Sequence, residues 1–285
     1  MTQPLNWQNG TVKSNGIQIH YTRTGGDKPP VVLNHGAMDD GLCWTRVAKA
    51  LEDDYDLIML DARGHGRSDS GQGDYSSQSR AADIAGSIQA LGLDRPVVGG
   101  HSLGADASMH LGALYPQLTR GIFLEDPPVT LPGQPVFGGN FAEGKDPVKM
   151  MTVFMRLFRT LPKFLGRIAA RKIMPGYPDD EINPWLDSKK RMSKDFMNSM
   201  IGALDFNAGI PEKLLGKIEI PVLLFIGDRE KGSIVSMEVA ESMKAATHDL
   251  RIVHLEGANH DIRRARFDDY IHHLRAFLNE CYSLG

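Results

Sequence analysis

The stretch PVVGGHSLG, residues 96–104, joins a short apolar run to a serine between glycines. Val97 and Val98 are typical of a buried strand, and residues 105–114 directly after the stretch have the composition of a helix. Ser102 stands in a G-x-S-x-G pattern, in which a strand turns sharply into a helix and the serine lies on the turn. The glycines remove the Cβ atoms that would collide where the strand and the helix crowd together. The stretch therefore predicts a serine hydroxyl that stands clear of a sheet.

The same turn predicts a place where negative charge is stabilised. The amide groups of the first helical turn, Leu103 among them, would point at the region beside the Ser102 hydroxyl. By itself the pattern is a weak signal, since it occurs by chance in roughly one chain in ten of this length. A solvated serine on a glycine-rich turn would fit the same pattern, so the choice between the two interpretations depends on the rest of the chain.

Length and composition are those of a mildly acidic protein that can fold alone. The chain has 285 residues, 41% of them hydrophobic, and a formal net charge of -3. These values give no electrostatic reason to expect nucleic acid or an anionic membrane as a partner. No apolar run approaches the ~20 residues that span a bilayer, and the first ten residues lack a secretory signal, so we expect a cytoplasmic protein. Cys43 and Cys281 are expected to be reduced, and the scattered histidines predict no metal site.

Short apolar runs alternate with helical stretches along most of the chain. Asn15-Gly16 is a dipeptide typical of a tight hairpin turn, so residues 11–23 predict an antiparallel pair of strands. Further strands are predicted at residues 31–34, 57–60, 97–100, 121–124, 221–226 and 251–255. Several of these are continuous apolar runs, as expected when helices cover both faces of a parallel sheet. The sequence predicts an α/β fold with a mostly parallel eight-stranded sheet flanked by helices.

The alternation stops between residues 127 and 211, where helical segments are punctuated by prolines. We predict a core domain formed by residues 1–126 and 212–285, with residues 127–211 as a helical cap inserted into it. Asp146-Pro147 is a typical helix start. The methionines and phenylalanines on one face of this first helix would either line an apolar pocket above Ser102 or pack on the core.

Histidines follow several of the predicted strands, and in a parallel sheet such strand ends meet at one edge. A serine hydroxyl needs a base to become a nucleophile, and we prefer His260, in the loop after the last strand. His101 is adjacent to the serine and would point elsewhere. His35 and His65 each precede a glycine, and we interpret them as groups that shape their loops.

Four motifs, taken in this order, resemble those of the α/β-hydrolase family: HG at 35–36, DARGHGRS at 61–68, GHSLG at 100–104 and GANH at 257–260. The resemblance implies that Ser102 is the nucleophile and His260 the base, and that the backbone amides of Ala37 and Leu103 form the oxyanion hole. It covers the whole chain except the detail of residues 127–211, which fall where the family carries its cap.

The acid of the expected triad is left open. The family usually places it three residues after the glycine that ends the seventh strand, which here is Glu230, but counting back from Ile234-Val235 gives Gly232. The loop therefore has an altered length. We prefer Asp228, the shorter acid nearest the strand end, with Glu230 as an alternative. Some relatives take the acid from the loop after the preceding strand, which would be Asp126 or, less plausibly, Glu125.

The sequence thus predicts a serine hydrolase that cleaves a small, apolar carboxylic ester or lactone through an acyl-enzyme, without a cofactor. Predicted substrate contacts are Met38, His101, Met151, Phe154, Met155 and Phe158. A carbon–carbon bond hydrolase or a perhydrolase on the same fold remains an alternative, as does a binding protein that has lost turnover.

Overall fold

The computed structural model describes residues 6–134, 147–174, 177–203 and 211–283, apart from the side chains of 147–152 and 200–203. The strands are Gln8–Ser14 (β1), Ile17–Arg23 (β2), Pro30–Asn34 (β3), Asp56–Leu60 (β4), Val97–His101 (β5), Gly121–Glu125 (β6), Val222–Ile226 (β7) and Leu250–His254 (β8). They form one eight-stranded sheet in the order β1-β2-β4-β3-β5-β6-β7-β8. β2 is antiparallel to β1 and β4, and the remaining neighbours are parallel. The predicted sheet is confirmed.

The hairpin that opens the fold turns at the predicted dipeptide. Asn15 and Gly16 have φ angles of 46° and 85°, which is the left-handed region that a two-residue hairpin turn requires. Ser14 therefore pairs directly with Ile17, and the register continues to Gln8 and Arg23.

Helices cover both faces of the sheet. They are Thr45–Leu51 (α1), Ser77–Ala90 (α2), Leu103–Leu114 (α3), Pro147–Thr160 (α4), Lys163–Ile173 (α5), Asp179–Arg191 (α6), Lys194–Ala203 (α7), Glu212–Leu215 (α8), Met237–Ala245 (α9), Ile262–Ala265 (α10) and Phe267–Ser283 (α11). In the described ranges, no helix combines the length and the apolar composition needed to cross a bilayer.

The two faces of the sheet form two separate hydrophobic clusters. Val32 and Val98 belong to the cluster that contains α2, α3 and α9. Their neighbours Val31 and Val97 belong to the cluster that contains α1 and α11. Successive strand residues are thus buried on opposite sides, which explains why the strands are apolar runs rather than alternations.

The chain between β6 and β7 holds α4, α5, α6 and α7, and its described residues contain no strand. α4 begins at Pro147, as the sequence predicts. α6 packs against α4 and α5 and also against α1 and the 3-10 turn before it. α6 is therefore in direct contact with the part of the chain that follows β3.

Candidate active site

Ser102 lies on a strained turn between β5 and α3. Its φ and ψ angles are 52° and -114°, a conformation that residues with a side chain rarely adopt. A Cβ on Gly100 would lie 2.4 Å from the Gly104 carbonyl carbon, and a Cβ on Gly104 would lie 2.2 Å from the Asn34 carbonyl oxygen. The glycines of the motif are thus required by close packing, and the Ser102 amide is fixed by a 2.8 Å hydrogen bond to the Glu125 carbonyl oxygen.

His260 is hydrogen-bonded to the buried carboxylate of Asp126. His260 Nδ1 lies 2.7 Å from Asp126 Oδ2, and the side chains of His260 and Asp126 are 23% and 0% exposed. Burial lowers the pKa of His260, but the hydrogen bond and the negative charge of Asp126 outweigh it, so the pKa is raised from its ordinary value. Because Nδ1–H donates to the carboxylate, Nε2 is the atom that remains to accept a proton.

The loop after β7 holds the Asp126 carboxylate in place. Asp126 Oδ1 accepts hydrogen bonds from Ser233 Oγ at 2.8 Å and the Val235 amide at 2.9 Å. Asp126 Oδ2 accepts one from the Ile234 amide at 2.8 Å, in addition to that from His260. Four donors surround one fully buried carboxylate, so its orientation is fixed.

Asp228, which we preferred as the partner of His260, occupies a different place, and that prediction is corrected. Asp228 Oδ1 lies 2.8 Å from His254 Nε2, and Asp228 Oδ2 accepts a 2.8 Å hydrogen bond from the Gly257 amide. Asp228 therefore fixes the start of the loop that carries His260. Asp126 reaches the imidazole because the Ser233–Val235 part of the β7 loop folds over the end of β6.

The two other acidic alternatives are also placed elsewhere. Glu230 is exposed in a short 3-10 helix, Arg229–Lys231. Glu125 is buried at the end of β6, where it accepts hydrogen bonds from the Arg263 amide at 2.9 Å and from the Arg263 guanidinium at 3.0 Å.

His101 connects the serine turn to the histidine loop. Its ring is 4% exposed, its Nε2 lies 3.0 Å from the His260 carbonyl oxygen, and the ring centroids of His101 and His260 are 4.5 Å apart. Burial and the nearby His260 and Arg263 hold the pKa of His101 well below its usual range. The neutral ring therefore donates from Nε2 to the His260 backbone. His101 thus has an internal contact, and its contact with substrate stays a prediction.

The loop after β3 passes directly beside the serine turn. A Cβ on Gly36 would lie 3.5 Å from Ser102 Cβ. His35 Nε2 accepts from the Ala62 amide at 2.9 Å, so His35 Nδ1–H is the donor to the Gly36 carbonyl oxygen at 2.8 Å. His35 thus shapes its loop as predicted.

His65 shapes the same loop from the β4 side. Its Nε2 lies 2.9 Å from the Ala37 carbonyl oxygen and its Nδ1 lies 3.0 Å from the Arg63 carbonyl oxygen. Burial and the neighbouring His35 lower the pKa of His65 to about 3, so the ring is neutral. The prediction for His65 is confirmed as well.

The backbone amides of Ala37 and Leu103 border this turn. Ala37 and Met38 pack against the apolar cluster that contains Leu103. Among the residues that the structure describes, none accepts a hydrogen bond from either amide. Both amides stay the predicted donors of the oxyanion hole.

The order and geometry of these groups agree with a comparison of the whole sequence. The profile of one protein family, described as alpha/beta hydrolase fold, matches residues 29–262. The chain belongs to the α/β-hydrolase family. The resemblance carried by the four motifs is thereby confirmed.

This α/β-hydrolase is similar to the following three proteins. It is 27% identical over 282 residues to N-formylmaleamate deformylase of Pseudomonas putida, covering 93% of this chain and 96% of that protein. The crystal structure of E-2-(acetamidomethylene)succinate hydrolase superposes with a TM-score of 0.76 and 21% identity, covering 96% of this chain and 100% of the other. An N-acyl homoserine lactonase superposes with a TM-score of 0.73 and 17% identity, covering 97% and 98%. The two structures show the shared fold.

The predicted substrate contacts on the inserted helices have different surroundings in this α/β-hydrolase. Phe158 is fully buried, with its ring centroid 4.9 Å from that of Trp185, and Phe154 packs on both rings. These two phenylalanines thus pack within the insertion, and their contact with substrate stays a prediction. Met155 lies in the cluster that also contains Leu103 beside the serine turn, and the side chain of Met151 lies outside the described residues.

Sequence reasoning missed a group of buried charges beside the site. Arg264 bonds Asp39 at 3.1 Å, Glu181 of α6 at 3.1 Å and Asp261 at 2.6 Å. It thereby joins the loop after β3, the insertion and the residue next to His260. The only signal was the adjacent pair Arg263-Arg264 shortly after the histidine, and charged pairs usually mark an exposed face.

Proposed function

We propose that this α/β-hydrolase is a serine hydrolase that cleaves a carboxylic ester or lactone through an acyl-enzyme, with Ser102, His260 and Asp126 as its triad. The observation that carries the proposal is the 2.7 Å hydrogen bond between His260 and Asp126, whose carboxylate accepts four hydrogen bonds in all. The loop that carries His260 also contacts His101, the residue before Ser102. A base oriented by a fixed acid beside a serine on a strained turn is the arrangement that makes a hydroxyl nucleophilic.

Each residue then has a defined step. Ser102 Oγ attacks the substrate carbonyl carbon while its proton passes to His260 Nε2. The oxygen of the tetrahedral intermediate accepts hydrogen bonds from the Ala37 and Leu103 amides. The intermediate collapses, the leaving alcohol takes the proton from His260, and the acyl group stays on Ser102. Water repeats the sequence, with His260 as base, and releases the acid.

A second candidate is the cleavage of an N-acyl bond in a small carboxylate-bearing amide. It is favoured by similarity over nearly the full chain to a deformylase whose named substrate is N-formylmaleamate. Cleavage of this C–N bond releases an amide, and His260 must protonate the leaving nitrogen as the bond breaks. The raised pKa of His260 supports that step, because the imidazolium is stabilised by Asp126.

A fluorophosphonate probe tests the shared mechanism. We expect the folded wild-type protein to be labelled and Ser102→Ala to remain unlabelled. Absence of labelling in the folded wild type would favour a binding protein over an enzyme.

Substrate class needs a second measurement. Rates on p-nitrophenyl esters of graded chain length, simple lactones and N-formyl amides of small carboxylic acids would rank the two candidates. We expect kcat/KM to be highest for an ester or a lactone, and a clear preference for the N-formyl amides would replace the first candidate with the second.

A further inference from the structure

Several carbonyl groups of the loop after β3 have polar contacts. The Gly36 carbonyl oxygen accepts from the Asp39 amide at 3.1 Å and from His35, and the Ala37 oxygen lies against His65. The Met38 oxygen accepts from outside the loop. Its donors come from α6 of the insertion, so the loop beside Ser102 depends on a helix that is distant in the sequence.

Lys189 is the principal donor to Met38. Its side chain is 0% exposed, and Nζ donates to the Met38 carbonyl oxygen and to Ser188 Oγ. Nζ also lies 3.6 Å from Asp39 Oδ1 and 4.2 Å from the centroid of the Trp185 ring. A fully buried ammonium is costly to desolvate, and the contacts of Lys189 with the Met38 carbonyl and with the Asp39 carboxylate offset that cost.

The hydrogen bonds continue from Lys189 to the amide beside Ser102. The Met38 carbonyl belongs to the same peptide group as the Asp39 N–H, which donates to the Gly36 carbonyl. The Gly36 carbonyl in turn belongs to the same peptide group as the Ala37 N–H. A charge on the first carbonyl polarises each following peptide, since hydrogen bonds in such chains strengthen one another.

We propose that Lys189 is a positioning residue that orients and polarises the Ala37 amide through these two peptide groups, so that α6 controls the oxyanion hole. The inference rests on the proposed function, in which the Ala37 amide stabilises the oxyanion. It makes the docking of the insertion a condition for turnover, because Lys189 reaches the loop only when α6 packs on it.

Substitution of Lys189 by methionine removes the charge and keeps the length of the side chain. We expect kcat/KM for p-nitrophenyl acetate to fall about tenfold in Lys189→Met, a fraction of the effect of deleting an oxyanion donor outright. The inhibition constant of a trifluoromethyl ketone, whose adduct with Ser102 carries the same oxyanion, should rise by a similar factor. Lys190→Met changes an exposed lysine of the same helix and should leave both values unchanged.

The outcomes separate the inference from the proposed function. If the wild type hydrolyses the ester and Lys189→Met matches Lys190→Met in rate and inhibition, the role of Lys189 is refuted and the serine mechanism stands. A folded wild type that neither hydrolyses the ester nor reacts with a fluorophosphonate would refute both. A loss of stability in Lys189→Met with an unchanged inhibition constant would reduce Lys189 to a structural role.

A measurement on the wild type covers the case in which the variant does not fold. Burial lowers the pKa of Lys189 to about 8, against the opposing effect of Asp39. The charged groups that face it are Asp39 and Asp40 of the loop, Asp261 after His260, and Arg264 of α10. We expect ester hydrolysis to decline as the pH rises through this range, as Lys189 loses its charge. A rate that stays flat to pH 10 in a stably folded protein would contradict the proposal.

Discussion

Asp126 accepts four hydrogen bonds although its side chain has no exposed area, and this distinguishes it from the other acidic residues near Ser102. Its backbone has a φ angle of 46°, which is unusual for a residue with a side chain. The residue after β6 thus shares a positive φ with Ser102, the residue after β5. The carboxylate is held toward the His260 loop by its four hydrogen bonds.

Replacement of Asp126 by asparagine keeps the shape of the side chain and removes its charge. We expect kcat/KM to fall by roughly 10³ to 10⁴, because the amide stabilises neither the imidazolium nor the required tautomer. Without the carboxylate the pKa of His260 falls, so the acidic limb of the pH profile of the residual activity should move to lower pH. Steady-state kinetics between pH 4 and 9, on the best ester found, check both effects.

Asp228→Asn is the matched control. Asp228 binds His254 and Gly257, so its loss should loosen the His260 loop and lower kcat/KM by no more than about tenfold. A larger loss of kcat/KM for Asp228→Asn than for Asp126→Asn would indicate that Asp228, after β7, is the acid of the triad.

Ser102 and His260 could be singled out from the sequence because the patterns around them are local. The acid could not, since Asp126, Asp228 and Glu230 all follow predicted strands. The choice depends on how Ser233, Ile234 and Val235 turn back over β6. That turn follows from long-range packing and leaves no local pattern.

At the level of helices, α4 and α6 are joined by an aromatic core. Phe158 is 2% exposed and contacts Trp185, while Phe164 at the start of α5 is 66% exposed. We expect Phe158→Ala to lower the free energy of unfolding by about 3–5 kcal/mol if the protein unfolds in a single transition. Chemical denaturation followed by tryptophan fluorescence measures the change.

Phe164→Ala removes a ring of the same size from an exposed site and should change the stability by less than about 0.5 kcal/mol. Equal effects of the two substitutions would show that Phe158 does not belong to a packed core. A change in ester selectivity confined to Phe158→Ala would support the sequence prediction that this ring contacts substrate.

The apolar face of α4 was predictable from the spacing of Met155 and Phe158. The partner of this apolar face was not predictable, because packing on a neighbouring helix and binding an apolar substrate both require the same side chains. Met155 joins the cluster next to Leu103, whereas Phe158 joins the one around Trp185. Two residues on one helix face thus belong to different parts of the molecule.

Across the whole molecule, Arg264 connects three segments through ion pairs, and its bonds to Asp39 and Glu181 are almost fully buried. Its partners are Asp39, Glu181 and Asp261. We expect Arg264→Met to lower the free energy of unfolding by about 3–5 kcal/mol, because it leaves carboxylates without their partner. The measurement is the midpoint of urea denaturation.

Arg266→Met provides the comparison two residues away. Arg266 is exposed and pairs with Asp269 on the surface, where such a bond contributes about 0–1 kcal/mol. Comparable midpoints for the two variants would argue against a structural role for the Arg264 network.

Most of the sheet could be predicted because each strand is a short apolar run bounded by turn residues. The strand order could not be read from periodicity, because it depends on which strands pair across the sheet. The buried ion pairs were not predictable, since nothing in the pattern around Arg264 or Glu181 marks them as interior.

β6 and β7 are hydrogen-bonded neighbours although the whole helical insertion separates them in the chain. Ser102 and Asp126 precede the insertion and His260 follows it, so the residues of the proposed triad come from both sides of the insertion. The polypeptide is therefore suited to division into two fragments at the insertion. Neither fragment would carry the complete proposed triad, and reassembly along this strand pair would report that two fused partners have come together.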